Sequence, residues 1–250
     1  MDMMYTIIFG IFGLVLGSFY NVVGLRVPKG ESIVNPPSHC TSCGKRLTAL
    51  ELIPVLSYLI QGGKCKGCGV KVSPIYCFTE IITALLFALC YVKFGFTAEL
   101  AVALLFVSLL VIINVSDIAY MLIPNKILLF FLPFLIIARI ISPLEPWWDS
   151  LLGAVIGFGV LLLIAVISKG GMGGGDIKLF FLLGLVLGTL HTLLTLFLAS
   201  VVGVIVGNIV LKVRDQGRKT PVPFGPSIAV GALLAYFYGN QLIEWYWQLF

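Results

Sequence analysis

Two aspartates, Asp117 and Asp176, lie at the ends of long apolar stretches in a chain with only 11% charged residues. A carboxylate is costly to place beside hydrocarbon, so a pair of them indicates function. Asp176 follows a glycine-rich run, residues 170–175, whose backbone another segment can approach closely. Two neighbouring carboxylates can hydrolyse a peptide bond, because one accepts a proton from water while the other, still protonated, polarises the carbonyl. These residues therefore predict an aspartyl dyad that acts on peptide bonds at a membrane surface.

Each aspartate also has a simpler interpretation. Asp176 could be a helix N-cap, since aspartate is a preferred residue at that position. Asp117 could equally be a solvated residue at the membrane interface. The glycine run favours catalysis, because glycines at a helix start are destabilising unless something must fit against them.

Four cysteines have the spacing of a metal site: Cys40, Cys43, Cys65 and Cys68. They form two C-x-x-C-G turns, which match a tetrahedral, structural zinc site with no open position for catalysis. The glycine after each second cysteine permits a tight turn. Two disulfides are the alternative, and these would require an oxidising compartment.

The composition predicts an all-α polytopic membrane protein. Hydrophobic residues make up 60% of the 250, and the mean hydropathy is +1.09. Soluble domains carry roughly 25% charged residues, far more than this chain. Eight apolar stretches approach the length of a transmembrane helix, namely 4–25, 74–94, 98–116, 125–141, 148–168, 177–190, 191–211 and 226–247.

The basic residues predict the orientation of these eight helices. If both termini lie outside, 14 of the 16 lysines and arginines fall on the cytoplasmic side, and only Lys93 and Arg139 do not. Asp117 and Asp176 then lie at the cytoplasmic face. The cysteine loop lies on the same side, where thiols stay reduced, so zinc is preferred over disulfides. This topology also accounts for the net charge of +5, and no nucleic-acid partner is expected.

The chain divides into four predicted parts. Residues 1–25 form the first transmembrane helix, 26–73 a small cytoplasmic zinc-binding loop domain, 74–97 the second helix, and 98–250 a six-helix aspartyl peptidase domain. Within the loop domain, the apolar stretch Leu47–Ile60 is too short to span a membrane. We expect it to form a short interfacial or buried helix.

Several motifs follow one another along nearly the whole chain. In order, they are Gly17–Val23 with Arg26 and Pro28, the doubled C-x-x-C, Tyr76 with Glu80, Asp117 with Ile123-Pro124-Asn125, Gly173–Lys178, and Pro223-Phe224-Gly225-Pro226. Their combination resembles the type IV prepilin peptidase family, membrane aspartyl proteases of the G-x-G-D type. The resemblance implies eight helices in the bacterial cytoplasmic (inner) membrane and catalysis by Asp117 and Asp176 at the cytoplasmic face.

The same resemblance implies the substrates and the surrounding residues. Family members cleave the basic leaders of type IV prepilins, and of the pseudopilins of type II secretion, after a glycine. The active-site loops would then comprise Gly173, Gly174, Gly175, Lys178, Pro223, Phe224, Gly225 and Pro226. Prepilin-type substrates and membrane lipid are the expected partners, and the sequence does not define an oligomeric state.

Many members of this family also N-methylate the new N-terminus with S-adenosylmethionine as cofactor. The resemblance suggests this activity for the N-terminal part, where Glu80 would act in methyl transfer or bind the substrate's α-ammonium. An interhelical hydrogen bond is the alternative role for Glu80.

Two other classes of function compete with a peptidase. A proton-coupled transporter would use the aspartates as a relay, but it requires carboxylates near the bilayer midplane. A zinc-stabilised scaffold without catalysis explains the cysteines but not the glycine run or the paired acids.

Overall fold

The computed structural model describes residues 2–169, 171–214 and 223–248, and these residues are helical apart from turns, loops and two isolated β-bridges. The helices are α1 (Asp2–Arg26), α2 (Leu56–Ile60), α3 (Pro74–Phe94), α4 (Ala98–Tyr120), α5 (Asn125–Ile141), α6 (Asp149–Ile167), α7 (Gly174–Arg214) and α8 (Gly225–Trp247). Five of them, namely α1, α3, α4, α6 and α7, are long and apolar enough to cross a membrane. The all-helical membrane architecture predicted from the sequence is therefore confirmed.

Two helix boundaries near the aspartates differ from the predicted ones. α4 continues to Tyr120, so Asp117 lies inside the helix and does not follow it. α7 begins at Gly174, so Asp176 occupies its first turn and is not the N-cap residue. A polar residue near a helix end does not by itself end the helix, because helix hydrogen bonds continue until the backbone dihedral angles change.

The chain forms two compact units, Met1–Leu100 and Ala101–Phe250. In the first, α1 and α3 pack against each other in antiparallel orientation through the small residues of α1. A Cβ atom added at Gly13 would lie 2.7 Å from the carbonyl oxygen of Thr83, and one at Gly17 would lie 2.9 Å from Cα of Glu80. Glycine therefore permits a backbone separation that a larger residue would prevent.

The apolar stretch Leu47–Ile60 of the first unit forms two short helices instead of the single predicted one. A 3₁₀ turn covers Ala49–Leu52, and α2 follows after a sharp turn at Val55. Pro54 accounts for the interruption, since proline cannot donate a backbone hydrogen bond within a helix.

In the second unit α4 is buried on most of its surface, and Val102, Ala103 and Phe106 are completely inaccessible to solvent. It therefore provides much of the core of this unit. Asp117 lies on this buried helix, so its position is defined by surrounding packing.

Helix α7 is a hairpin of two antiparallel arms that meet at Gly188. This residue has φ 74° and ψ −179°, outside the helical region. Phe180 and Thr192 would be about 18 Å apart along a continuous helix. Yet a Cβ at Gly157 of α6 would lie 2.7 Å from the carbonyl oxygen of Phe180 and 2.9 Å from Cγ2 of Thr192. The chain thus reverses at Gly188, close to the predicted boundary between the sixth and seventh apolar stretches.

Opposite charges stabilise the two helix ends at this reversal. Arg139 of α5 donates from Nη2 to the carbonyl oxygen of Val186 at 2.6 Å, where the first arm ends. The Asp149 carboxylate accepts a hydrogen bond of 3.2 Å from the amide of Thr189, where the second arm begins. A cation at a helix C-terminus and an anion at an N-terminus both match the helix dipole.

Candidate active site and metal centre

Asp117 lies one turn before the end of α4 and is only 6% exposed. Its Oδ2 accepts a 2.7 Å hydrogen bond from the backbone amide of Gly225, the first residue of α8. A Cβ at Gly225 would lie 2.6 Å from that same oxygen, so the contact requires glycine. The predicted residue Gly225 therefore has a defined task, which is to bring a backbone donor onto the aspartate.

Asp176 lies in the first turn of α7 and is half-buried. Its carboxylate accepts a hydrogen bond from the backbone of Gly173, and its own amide donates to the carbonyl oxygen of Gly173 at 3.1 Å. This reciprocal arrangement resembles a capping box, which satisfies amides at a helix start. The simpler structural interpretation of Asp176 therefore holds in part, although Asp176 is not itself the N-cap.

The two aspartates are close enough for their carboxylates to interact electrostatically. The segment between α4 and α5 contributes to this arrangement, because Ile123 packs directly on the glycine run. A Cβ at Gly175 would lie 2.7 Å from Cβ of Ile123, whereas one at Gly174 would meet nothing within 4 Å. Gly175 is thus explained by packing within this chain, and Gly174 has open space beside it.

The remaining predicted residues of the second unit make contacts with residues other than the aspartates. Lys178 is exposed and donates from Nζ to Oδ1 of Asn125 at 3.0 Å, which links α7 to the start of α5. The ring of Phe224 lies against Gly203 of α7, 3.0 Å from a Cβ built there. Pro223 and Pro226 flank this ring at the start of α8 and are partly exposed.

Ser116 is a residue of this region that the sequence analysis missed. It is completely buried, and its hydroxyl donates to the carbonyl oxygen of Leu122 at 2.6 Å. This bond closes the turn after α4, in which Met121 has a positive φ of 52°. The available signal was its position beside Asp117, but a serine in an apolar helix usually bonds to its own backbone.

The four cysteines of the doubled C-x-x-C converge in the first unit, with their sulfur atoms all within 4.8 Å of one another. The Cys40–Cys68 and Cys43–Cys65 sulfur distances are 3.8 and 4.0 Å. A tetrahedron with metal–sulfur bonds of 2.3 Å has edges of about 3.8 Å, whereas a disulfide bond is about 2.05 Å long. The cluster therefore has the dimensions of a four-thiolate metal site.

The two cysteine turns share one backbone geometry. Gly44 and Gly69 have φ values of 70° and 72°, as predicted for the glycine after each second cysteine. The backbone amides of Cys43 and Ser42 lower the pKa of the Cys40 thiol to about 6.

An acid beside this cluster is fully engaged in local structure. Glu51 accepts hydrogen bonds from the amide and hydroxyl of Thr48 and from Nζ of Lys45, all within 3.0 Å. The Thr48 amide and then Lys45 lower the pKa of Glu51 to about 2. Glu51 therefore caps the Ala49–Leu52 turn.

Glu80 is buried on α3, and both of its partners belong to the first unit. Its Oε2 accepts a 2.8 Å hydrogen bond from the amide of Val55, and the Ser18 side chain of α1 also bonds to it. The Ser18 contact is the interhelical hydrogen bond that the sequence analysis left open. The role in methyl transfer or ammonium binding stays a prediction.

Two family models match this chain in succession. Residues 11–94 match the Bacterial Peptidase A24 N-terminal domain, and residues 104–208 match the Type IV leader peptidase family. The first match covers most of α1, the cysteine cluster and α3. The second covers both aspartates.

Curated proteins match over nearly the whole chain. A protein of Bacillus subtilis named prepilin leader peptidase/N-methyltransferase is 49% identical over 243 residues, covering 97% of this chain and 98% of that protein. Proteins of the same name from Pseudomonas aeruginosa and Legionella pneumophila are 34% and 31% identical, covering 94% and 97% of this chain and 91% and 94% of their own lengths. No solved structure matches. The chain belongs to the type IV prepilin leader peptidase family and is an enzyme, as the sequence analysis predicted.

Proposed function

We propose that this protein is an aspartyl endopeptidase in which Asp117 and Asp176 hydrolyse the bond between the leader and the mature part of type IV prepilins and pseudopilins. The observation that carries the proposal is that the two carboxylates lie near enough to repel each other electrostatically, one on the buried helix α4 and one in the first turn of α7. The names of the relatives support prepilins as the substrate class.

The chemistry follows from two carboxylates that share one proton. The ionised member accepts a proton from water, whose oxygen attacks the scissile carbonyl carbon, and the protonated member donates to the carbonyl oxygen. Collapse of the tetrahedral intermediate returns a proton to the leaving amine. The Gly225 amide holds Oδ2 of Asp117 in place, and a coupled pair of this kind titrates as a unit.

The glycines have two tasks in this proposal. Gly175 fits against Ile123, whereas Gly174 leaves open space in which the backbone of an extended substrate can lie. Gly173 contributes by bonding to the Asp176 carboxylate. Lys178 and Asn125 tie α7 to α5, and the Pro223–Pro226 segment carries the amide that reaches Asp117.

We further propose eight membrane crossings, with the two arms of α7 counted separately, and both aspartates at the cytoplasmic face of the inner membrane. The distribution of basic residues supports this orientation, with both termini outside. A prepilin presents a basic leader to the cytosol and an apolar helix to the bilayer, so its cleavage requires a site at that boundary.

The first unit has a separate task in the proposal. Its four cysteines would hold a structural zinc ion, whose role is to fold the loop domain. Because the relatives are named as N-methyltransferases, we propose that the chain also methylates the new N-terminus, with S-adenosylmethionine as methyl donor. Glu80, which lies on α3, would act in methyl transfer or bind the substrate's α-ammonium group.

The break in α7 does not favour a transporter. Transporters place broken helices at the substrate site near the midplane. Here the break at Gly188 is a hairpin reversal, twelve residues along the chain from Asp176, and the amide of the next residue, Thr189, donates to Asp149. A scaffold would leave the Gly225 contact to Asp117 without a purpose.

The test uses the full-length protein in detergent or vesicles with a prepilin-like substrate and mass spectrometry of the products. We expect wild type to cleave after the leader glycine, and Asp117→Asn and Asp176→Asn each to lose at least about 1,000-fold in rate. The double variant should be no worse than either single variant, because the residues act as a unit. Glu244→Gln, on the exposed side of α8, is the control.

Two results would overturn the proposal. Equal cleavage by wild type and an aspartate variant would remove that aspartate from catalysis. Absence of cleavage by a folded wild type across several prepilin-like substrates would reject the substrate class. A mass increment of one methyl group on the new N-terminus, dependent on S-adenosylmethionine, tests the second activity separately.

A further inference from the structure

The turn between the Ala49–Leu52 segment and α2 has an unusual backbone. Val55 has φ 60° and ψ −52°, and the amide of Leu56 donates to the carbonyl oxygen of Pro54 at 2.6 Å. This is a three-residue γ-turn of the positive-φ kind, which is rare and strained. A β-branched residue in this conformation is a clear outlier, and such outliers persist only where surrounding contacts hold them.

The contact that holds this turn comes from a transmembrane helix. The Val55 amide donates to Oε2 of Glu80 at 2.8 Å, and Glu80 is itself bonded to Ser18 of α1. Both Ser18 and Glu80 lie inside helices that qualify as membrane spans. A buried carboxylate on a span thus attaches a loop backbone to the α1–α3 pair.

The position of Glu80 along α3 shows where the loop is attached. Glu80 lies six residues beyond Pro74, the first residue of α3. At 1.5 Å per residue this is about 9 Å along the helix. Because its amide bonds to Glu80, the Val55 turn lies beside the first two turns of α3, a helix that qualifies as a membrane span.

Most backbone amides of this segment have partners within the protein, as hydrocarbon requires of a buried backbone. Besides the Val55 and Leu56 amides, the amides of the following residues donate to carbonyl groups of the same segment: Ser57, Leu59, Gln61, Gly62 and Gly63. Short helix and turn bonds thus account for donors that would be costly to leave unpaired in lipid.

The side chains of this segment form an uncharged, outward face, here called the leucine face: Leu52, Ile53, Leu56, Leu59 and Ile60. Leu56, Leu59 and Ile60 are 57%, 64% and 80% exposed. No charged residue occurs from 52 to 63, and Glu51 turns inward to Lys45. Two exposed lysines that pair across a β-bridge, Lys64 and Lys71, follow at the polar end.

We propose that the leucine face is inserted into the lipid bilayer as a short re-entrant segment, anchored by Glu80 through the Val55 turn. Lys64 and Lys71 then lie at the level of anionic headgroups, which attract basic residues beside inserted apolar segments. In this arrangement Glu80 is a positioning residue that acts as a hydrogen-bond acceptor for the loop. The inference concerns the first unit alone and does not depend on peptidase activity.

The test is photo-crosslinking of the full-length protein in vesicles of phosphatidylethanolamine and phosphatidylglycerol. Leu59 is replaced by p-benzoylphenylalanine, and adducts are identified by mass spectrometry. The same probe at Leu85, exposed on α3, is the positive control, and at Ser42, in a cysteine turn, the negative control. We expect a lipid-adduct yield at Leu59 within about twofold of Leu85 and at least about tenfold above Ser42.

Two Glu80 variants test the anchor in the presence of the Leu59 probe. Glu80→Gln keeps an acceptor for the Val55 amide and should retain the lipid adduct. Glu80→Ala removes the acceptor, and we expect the ratio of inserted to released segment to fall at least roughly tenfold, the lower end of the range for a hydrogen bond to a charged group.

Several outcomes would overturn the proposal. A Leu59 yield equal to that of Ser42, with Leu85 still reactive, would exclude insertion. Adducts with an added prepilin, or between two copies of this chain, would assign the leucine face to a protein partner. Equal yields in Glu80→Ala and wild type would exclude the anchor, and a released segment in Glu80→Gln would show that the charge is required.

Discussion

Buried acids in the two units of this protein have contrasting surroundings. In the first unit, Glu51 bonds to Thr48 and Lys45, and Glu80 bonds to Val55 and Ser18. In the second, each aspartate has a backbone amide as its partner and another acid nearby. Among the described residues, no ion pair reaches either aspartate.

This contrast distinguishes two roles of a buried carboxylate. A carboxylate that is paired with donors stabilises a fold, and Glu51 and Glu80 hold turns of the loop domain in place. A carboxylate placed beside another carboxylate is unfavourable unless a proton is shared, which is the arrangement of aspartyl catalysis. The structural acids and the proposed catalytic acids can therefore be told apart by their partners.

After the aspartate variants themselves, the largest effect is expected for Gly225→Ala. Its Cβ would lie 2.6 Å from Oδ2 of Asp117, so the aspartate or the start of α8 must move. A displacement near 1 Å at a catalytic group costs about 100-fold in rate. Prepilin cleavage measures this loss. Gly207→Ala, where no atom lies within 4 Å, is the matched control and should cleave normally. Full activity in Gly225→Ala would show that the Asp117 contact is not needed.

Cys43→Ser should act on the first unit. We expect loss of bound metal, measured by elemental analysis, and faster proteolytic nicking within residues 26–73, because metal binding supplies folding energy to such loops. Cys77→Ser, on α3 outside the cluster, should keep its metal. Unchanged metal content in Cys43→Ser would contradict a four-thiolate site. A loss of cleavage larger than that of methylation would contradict the division of tasks between the units.

The glycines before Asp176 allow an internal comparison. Gly175→Ala should lower the melting temperature and the cleavage rate together, since overpacking against Ile123 costs about 1–3 kcal/mol. Gly174→Ala should leave the melting temperature unchanged but lower kcat/KM, because its new methyl group would occupy the space proposed for the substrate backbone. Normal kinetics in Gly174→Ala would exclude a close substrate approach at that residue.

The smallest effect concerns pH and Glu51. Its pKa in the folded protein is about 2, below the ordinary value of 4.5, so its stabilisation is complete above pH 4.5 and is lost as pH falls towards 2. The melting temperature of wild type should therefore exceed that of Glu51→Gln at pH 7, and the difference should shrink below pH 4.5. Glu31→Gln, exposed in the same loop domain, is the control. A difference independent of pH would show that capping by Glu51 does not depend on its charge.

Local features were the most predictable from sequence. The cysteine cluster follows from spacing, because two C-x-x-C-G turns form the same positive-φ geometry wherever they occur. The small residues of α1 are also a local feature, and they permit the close contact that α3 makes at Gly13 and Gly17. Family membership followed from motifs spread over the whole chain, and the comparisons confirm it.

Contacts between distant residues were not predictable in the same way. Val55 and Glu80 are separated by 25 residues, and nothing in either neighbourhood indicates that a loop amide would bond to a helix carboxylate. Gly225 and Asp117 are separated by 108 residues, and the motif containing Gly225 is also that of an ordinary helix start.

Composition, hydropathy and short-range spacing are local properties, and they were enough to predict a helical membrane protein with a four-cysteine cluster and two exceptional aspartates. The partner of each acid, in contrast, became known from the folded chain. Packing of α8 on α4 and of Ile123 on α7 arranges the aspartates, whereas α1, α3 and the Val55 turn surround Glu80. A carboxylate's role depends on its neighbours in space, and long-range packing sets these neighbours.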